Sequence, residues 1–322
     1  MIGRTVVLIP DRTVLSKKAD ESGTASHPKC GSVAEGLPVK NAFMMQHALA
    51  LNVPQSGRTF SPVRVALVDV IAGMLAVDIW GRLGWRETKR RYRRTVFGPF
   101  WTTVGLALFV TCLGLVWANL WNRDPKVYLP YLTSGMLCWV MFSTICMDGC
   151  VTFIVAEKLL RQLRISYTLL ACANVWRNAV LFFHNLTIYV LVCIYAGVGI
   201  RWPMLLVIPG FLLFSLNAVW ISIFLGAMCA RYRDIQQLVG TLLQISLFLT
   251  PIFWSPDQLT GRTAVLAQLN PMYHLVAIIR EPLLGKAPEL SHWLVVGLIT
   301  LVGWGLTVQM LTKIRQRIVY WL

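Results

Sequence analysis

Charge is scarce in this sequence, and negative charge is scarcest. Only 14% of its 322 residues are Asp, Glu, Lys or Arg, with 14 acids against 30 bases. A soluble domain of this length carries about 25% charged residues, so a chain that is 56% hydrophobic belongs in a bilayer instead. No G-x-x-x-x-G-K-[ST] segment occurs, so no P-loop cradles nucleotide phosphates here and any ATP-driven role needs a separate ATPase. Carboxylate pairs and Glu/His ladders are missing from the apolar runs, which argues against a proton-driven pump. Metal-ligand spacing is missing too. Of the eight cysteines, Cys112, Cys146, Cys150 and Cys193 sit inside apolar runs as small hydrophobes, implying neither disulfides nor a metal. The first thirty residues lack the basic-then-apolar order of a signal peptide, so the first span is expected to act as the insertion signal.

What is present is a set of long apolar runs flanked by bases. The formal charge of +16 is concentrated beside those runs. There anionic lipid headgroups attract each base by about 1 kcal/mol, and nucleic acid is not an expected partner. Residues 1–60 read as a loosely ordered extension and 61–322 as a transmembrane domain. Over 62–94 apolar residues recur at helical spacing, but Asp69, Asp78 and Arg82 interrupt them. This is the pattern of an amphipathic helix lying on the membrane surface or packed on the protein's own cytoplasmic side, with Asp78 able to pair with Arg82 one turn later. Six runs are long enough to cross a hydrocarbon core, near 100–120, 129–154, 176–199, 203–230, 236–254 and 293–311. Bases crowd alternate connectors: Arg86, Arg90, Arg91, Arg93 and Arg94 before the first run, Lys158, Arg161 and Arg164 after the second, Arg231 and Arg233 after the fourth, and Lys313, Arg315 and Arg317 at the end. The positive-inside rule then predicts an all-α integral membrane protein with both termini cytoplasmic. Trp101, Trp121, Trp176, Trp202, Trp254 and Trp293 fall near span ends, as an interfacial belt requires.

The connector before the last run differs from the others. From Val265 to Leu284 it is mostly apolar yet carries Asn270, Pro271, His274, Arg280 and Glu281, too polar to face lipid and too apolar for a solvated loop. Two short helices dipping into the outer leaflet under cover of protein reconcile both properties. Pro251 is expected to kink the end of the fifth span. Inside the spans, Asp148 and His184 are the clearest ionisable residues, and both read first as groups that hydrogen-bond or pack against neighbouring helices.

Five stretches, in this order, carry a family resemblance: RYRRTVFGPFW (Arg91 to Trp101), NVWRNAVLFFHNLTIY (Asn174 to Tyr189), RYRDIQQLV with the following LTPIFW, NPMYHLV from Asn270, and the final RIVYWL. Together they resemble the membrane subunit of polysaccharide and polyol-phosphate ABC exporters, nearest to the O-antigen and galactan-type permeases. The similarity runs from about Asp69 to Leu322. It implies a homodimer with two copies of an ABC ATPase that carry the ATP and Mg, moving an undecaprenyl-linked polysaccharide across a bacterial inner membrane. This chain itself would hold no cofactor and perform no catalysis. By position, the resemblance implies that Asp78 to Arg94 form an interface helix at the cytoplasmic entrance. There Arg86, Arg90, Arg91, Arg93 and Arg94 could meet the lipid head, Arg being the better geometric match to phosphate. Glu157, Lys158, Arg161 and Arg164 would belong to the coupling helix, and Arg231, Arg233 and Asp234 to a second ATPase contact. Asn270, Pro271 and His274 would lie in the periplasmic gate.

A wide pore for glycans could use aromatic rings, which stack on sugars without demanding one register. Trp117, Trp139, Phe142, Trp220 and Phe248 are candidates, although an aromatic in a span more often packs. Teichoic-acid precursors, capsule or a hydrophobic drug are alternative cargoes for the same architecture. A membrane enzyme acting on lipid-linked sugars is disfavoured, because Asp148, Asp234 and Asp257 are scattered over different loops and depths.

Overall fold

The computed structural model describes residues 61–93, 95–98, 100–163, 165–256 and 268–322, and the helix and strand assignments that follow concern those residues. The expected extension over 1–60, Arg94, Arg164, Asp257 and the start of the 265–284 connector lie outside them. The described chain is helical, without strands.

It begins with α1 (Pro62–Leu75) and α2 (Val77–Tyr92). Ser61 caps α1, its hydroxyl accepting from the Arg64 N–H at 3.4 Å, and Pro62 takes the first-turn position where its missing N–H costs nothing. The sequence suggested one surface helix over 62–94. The structure instead breaks it at Ala76, where ψ of 48° leaves the helical region. The Asp78–Arg82 carboxylate pair does not form either: Arg82 Nε donates to the backbone carbonyl of Asp78 at 2.8 Å.

Next come α3 (Phe100–Leu120), α4 (Pro125–Val155), the short α5 (Glu157–Gln162), α6 (Tyr167–Ala196), a 3-10 turn (Trp202–Leu206) leading into α7 (Val207–Arg231), α8 (Ile235–Leu249), α9 (Pro271–Leu283) and α10 (Leu290–Trp321). Five segments are long and apolar enough to cross a membrane: Phe100–Leu120, Pro125–Val155, Tyr167–Ala196, Trp202–Arg231 and Leu290–Arg315. The fifth expected span, 236–254, is realised as the 15-residue α8. At 1.5 Å per residue it is about 22 Å long, short of the roughly 30 Å hydrocarbon core. The helix stops at Leu249 instead of bending at Pro251, because the residue before a proline is pushed out of helical geometry and Thr250 adopts ψ of 136°. The third span starts at Tyr167, earlier than the apolar pattern suggested, with Ser166 accepting from the Leu169 N–H.

The core is organised around α4, whose Leu132, Leu137, Ile145 and Phe153 are fully enclosed. It packs on α6 and α7, and on α7 through small residues, the usual device where hydrophobicity cannot drive helices together in lipid. A Cβ on Gly149 would lie 3.2 Å from Ser222 Cα, and one on Gly226 would lie 3.0 Å from the Phe153 ring. Gly84 brings α2 equally close to α6, since a Cβ there would sit 2.8 Å from the Ala173 carbonyl oxygen.

Candidate functional site

Polar constellations at three places in the described bundle concern function. The first is at the α5 end. Ala156 separates α4 from α5, so a single turn carrying EKLLRQ follows the long helix almost without a linker. Leu160 is buried while Lys158, Arg161 and Gln162 are exposed, so the turn is anchored by its apolar side and presents its charges outward. Arg161 Nε donates to Glu157 Oε1 at 2.9 Å across one helical turn. The turn between α7 and α8 exposes Arg231, Arg233 and Asp234. Arg231 lies over the rings of Tyr232 and of Trp321 in α10, 5.0 and 5.2 Å from their centroids.

Beneath this end, Asp69 of α1 is buried to 1% side-chain exposure and receives Arg315 of α10 at 2.8 Å and the Ser166 hydroxyl at 2.9 Å. Burial pushes its carboxyl above the usual carboxylate range, against the opposing pull of Arg315 and Ser166. Three segments remote in sequence are thereby tied together where α5 passes into α6.

The second constellation surrounds Asp148. Arg91 Nη2 of α2 donates to Oδ1 at 3.0 Å, Arg177 Nη2 of α6 to Oδ2 at 2.9 Å, and Asn178 Nδ2 to Oδ2 at 3.3 Å. Arg177 also pairs with Glu87 of α2 and donates to Asn174 Oδ1 at 2.9 Å. Asn174 in turn reaches the Ile145 carbonyl and the Ser222 hydroxyl. The isolated acid read from the sequence is therefore the hub of an ion network joining α2, α4 and α6. A cavity of about 480 Å³ opens beside it, lined by Glu87, Arg90, Arg91, Asp148 and Arg177 and, from the α5 side, Ala156 and Leu159.

The third constellation is at the opposite end of α4. The carbonyls released where α8 stops are taken up by side chains from elsewhere. Tyr128 donates to the Phe253 carbonyl at 2.6 Å, and Tyr131 to those of Pro251 and Trp254 at 3.1 and 3.0 Å. Arg280 of α9, only 3% exposed, donates to Tyr131 Oη at 3.0 Å and to the Pro251 carbonyl. Asn270 caps α9 by accepting from the Met272 N–H at 2.9 Å while its Nδ2 reaches Thr250 Oγ1 at 3.1 Å, and Pro271 opens the helix. His274 Nε2 lies 2.6 Å from the Gln268 carbonyl, which can only accept, so this nitrogen carries the hydrogen. Its Nδ1 then accepts a hydrogen bond from His292 Nδ1 at 2.8 Å, and His292 Nε2 lies 3.4 Å from Glu281. Burial holds the His274 imidazole below its ordinary value.

The aromatic candidates separate into two groups. Trp139 and Phe142 are 5% and 9% exposed and pack with Phe214, making them core groups of the protomer rather than faces open to a lumen. Trp117 packs on Trp121 and Phe253, and Trp220 fills the space beside Gly303 with its Nε1 donating to Asn217. Phe248 is 66% exposed. Arg86, Arg90, Arg91 and Arg93 are all exposed along α2 and its end.

Sequence reasoning gave no site role to Arg177, Glu87, Asp69, Arg315, Tyr131 and Arg280. Arg177 carried a usable signal, a base two residues from Val175 in a run that continues apolar for twenty residues. The expected run near 176–199 placed it in the first turn, whereas the helix begins at Tyr167 and carries it well inside.

The chain matches the family model described as ABC-2 type transporter over residues 80–284, more than half its length. It is similar to the O-antigen export system permease protein RfbA of Myxococcus xanthus, 26% identical over 194 residues that cover 59% of this chain and 74% of the relative. It is also similar to the protein of that name from Klebsiella pneumoniae, 20% identical over 202 residues that cover 61% and 76%. All three constellations lie within or against the matched region, and several helices are long and apolar enough to span. The chain is a multi-pass membrane protein that belongs to the ABC-2 type transporter family.

Proposed function

We propose that this chain is the permease subunit of an ATP-driven exporter of lipid-linked polysaccharide, working as a homodimer with two copies of an ABC ATPase. The observation that carries the reading is the α5 turn. A six-residue helix follows a 31-residue spanning helix with one intervening residue, buries Leu160 and turns Lys158 and Arg161 outward. A push on such a turn is delivered to the bundle instead of being absorbed by a loop. With Glu157 and the Arg231, Arg233 and Asp234 turn, it forms the surface that docks the ATPase. Kinship with relatives named as O-antigen export permeases favours a glycan over a drug as cargo.

In this reading the α5 end and both termini face the cytoplasm, α8 completes a sixth crossing together with the turn around Pro251, and the connector containing α9 re-enters the outer leaflet as a gate. Arg86, Arg90, Arg91 and Arg93 face the incoming lipid head at the entrance. Asn270, Pro271 and His274 hold the gate helix, and Phe248 is the aromatic most open to a pore shared between protomers. ATP and Mg are confined to the partner ATPase.

The test is charge reversal on the exposed side of the turn. Lys158→Glu with Arg161→Glu is expected to weaken co-purification of the ATPase by at least about tenfold, as like charges brought together at an interface do, while membrane insertion is unaffected. Undiminished complex formation and export in that variant would contradict the coupling assignment.

A further inference from the structure

The cavity beside Asp148 carries an excess of positive charge that its own carboxylates only partly satisfy. Arg90, Arg91 and Arg177 line it against Glu87 and Asp148. Arg177 is held from several sides, by Glu87, Asp148 and Asn174. Arg91 is held differently: it reaches Asp148 from outside, with 47% side-chain exposure against 15% for its partner. Its two contacts differ in quality, 3.0 Å from Nη2 and 3.5 Å from Nη1. Arg90 lines the same cavity and is exposed, without a carboxylate within ion-pair distance among the described residues. The two arginines are adjacent at the end of one helix, above a volume of about 480 Å³. That volume is ample for a diphosphate group, whose oxygens match guanidinium forks bidentately.

We propose that this cavity binds the diphosphate head of a lipid carrier, and that Arg91 exchanges the Asp148 carboxylate for the incoming anion. Asp148 is then an internal competitor. It offsets part of the cavity's positive charge and draws α2 against α4, and it yields Arg91 when an anion of higher charge arrives. Ala156 and Leu159, at the junction with the α5 turn, also line the cavity, so an occupant lies between the entrance helix and the ATPase-docking turn. The inference rests on the export reading and adds to it the site, its ligand chemistry and the residue that gates it.

Competition has a signature that a structural ion pair lacks: removing the acid strengthens ligand binding. The full chain in phosphatidylcholine nanodiscs, without the ATPase whose own nucleotide site binds phosphates, would be titrated with inorganic pyrophosphate, farnesyl diphosphate and phosphatidylglycerol. Binding would be followed by ³¹P NMR. Farnesyl diphosphate is expected to bind the native chain. Asp148→Asn should bind it about tenfold more tightly and Arg91→Gln about tenfold more weakly, the size of effect of one charge-assisted hydrogen bond gained or lost. Asp148→Glu, which keeps the competitor, serves as the folding control and should stay near the native value.

Pyrophosphate binding with the same ranking would show that the head alone is recognised; binding of farnesyl diphosphate only would show that the lipid is read as well, and either supports the site. Equal or weaker binding by a folded Asp148→Asn chain would overturn the proposal, as would indifference to Arg91→Gln or phosphatidylglycerol competing as well as the diphosphates. These results leave the export reading standing, because that reading fails separately, if a strain lacking the chain still exports its glycan.

Discussion

Arg177 Nη2 donates to Asp148 Oδ2 at 2.9 Å while its Nη1 is engaged by Glu87, so one guanidinium on α6 holds carboxylates from α4 and α2 together. Each partner is mostly enclosed, with side-chain exposures of 15%, 15% and 27%. Removing the cation leaves carboxylates facing each other with partial solvation. Arg177→Met is expected to lower stability by about 2–3 kcal/mol, read from equilibrium unfolding in mixed SDS micelles. Arg177→Lys should recover only part of the loss, because an ammonium cannot address both acids in the plane of the fork.

The Asp69–Arg315 pair makes a sharper test because its ends are 246 residues apart. If α1 and α10 are tied through it, Asp69→Ala and Arg315→Ala should each destabilise the chain, and the double variant should cost less than their sum. The coupling energy should be about 2 kcal/mol in a double-mutant cycle. Additive losses would mean that Ser166 and packing alone hold the junction.

Acid is expected to loosen α9. Neutral His274 accepts from His292 Nδ1 while donating to Gln268, and a second proton on its ring removes the acceptor. The groups around it are Tyr273, His292 and, through His292, Glu281. Because burial depresses the folded-state value, the folded chain binds fewer protons than the unfolded one over the window just below the ordinary value of about 6.5. The contribution of His274 is therefore full above that value and falls as pH drops through it toward the folded value. Once corrected for the intrinsic chemical exchange rate at each pH, α9 amides should show lower protection at pH 5.5 than at pH 7.5 in the native chain. This difference should shrink in His274→Phe.

Gly84 supplies the close approach of α2 to α6. Gly84→Leu should force the helices apart, costing about 1–3 kcal/mol, and should expose Thr88, which is buried in the native packing. Accessibility of a Thr88→Cys reporter to a membrane-impermeant maleimide, compared with and without the leucine, measures the displacement.

The helical membrane architecture was legible because apolar runs of spanning length leave few other folds, and the short charged turn was legible because EKLLRQLR sits between two such runs. Boundaries were less so. Thr168 to Val175 reads as a connector only if Arg161 and Arg164 are taken to mark a long loop, yet a serine cap starts the helix immediately after them. The 62–94 segment showed its amphipathic spacing but not its break at Ala76, which no Gly or Pro announces. The ion networks were hidden for a different reason. Asp148 and Arg177 are 29 positions apart, and Asp69 and Arg315 are 246 apart, so their partnership is decided by which helices pack together and not by local pattern. Arg280 illustrates the same limit, because its partners are the Tyr131 hydroxyl, 149 positions away, and the Pro251 carbonyl in the turn after α8, and a carbonyl leaves no mark in a sequence.

The most direct test of the central claim is deletion of this gene in its host, with lipid-linked glycan intermediates followed in the cytoplasm and surface polysaccharide measured on the same cells. An export permease predicts loss of surface glycan with intermediates accumulating inside, restored by the native chain but not by Lys158→Glu with Arg161→Glu. Normal surface glycan and no accumulation would contradict polysaccharide export and put a different cargo in its place.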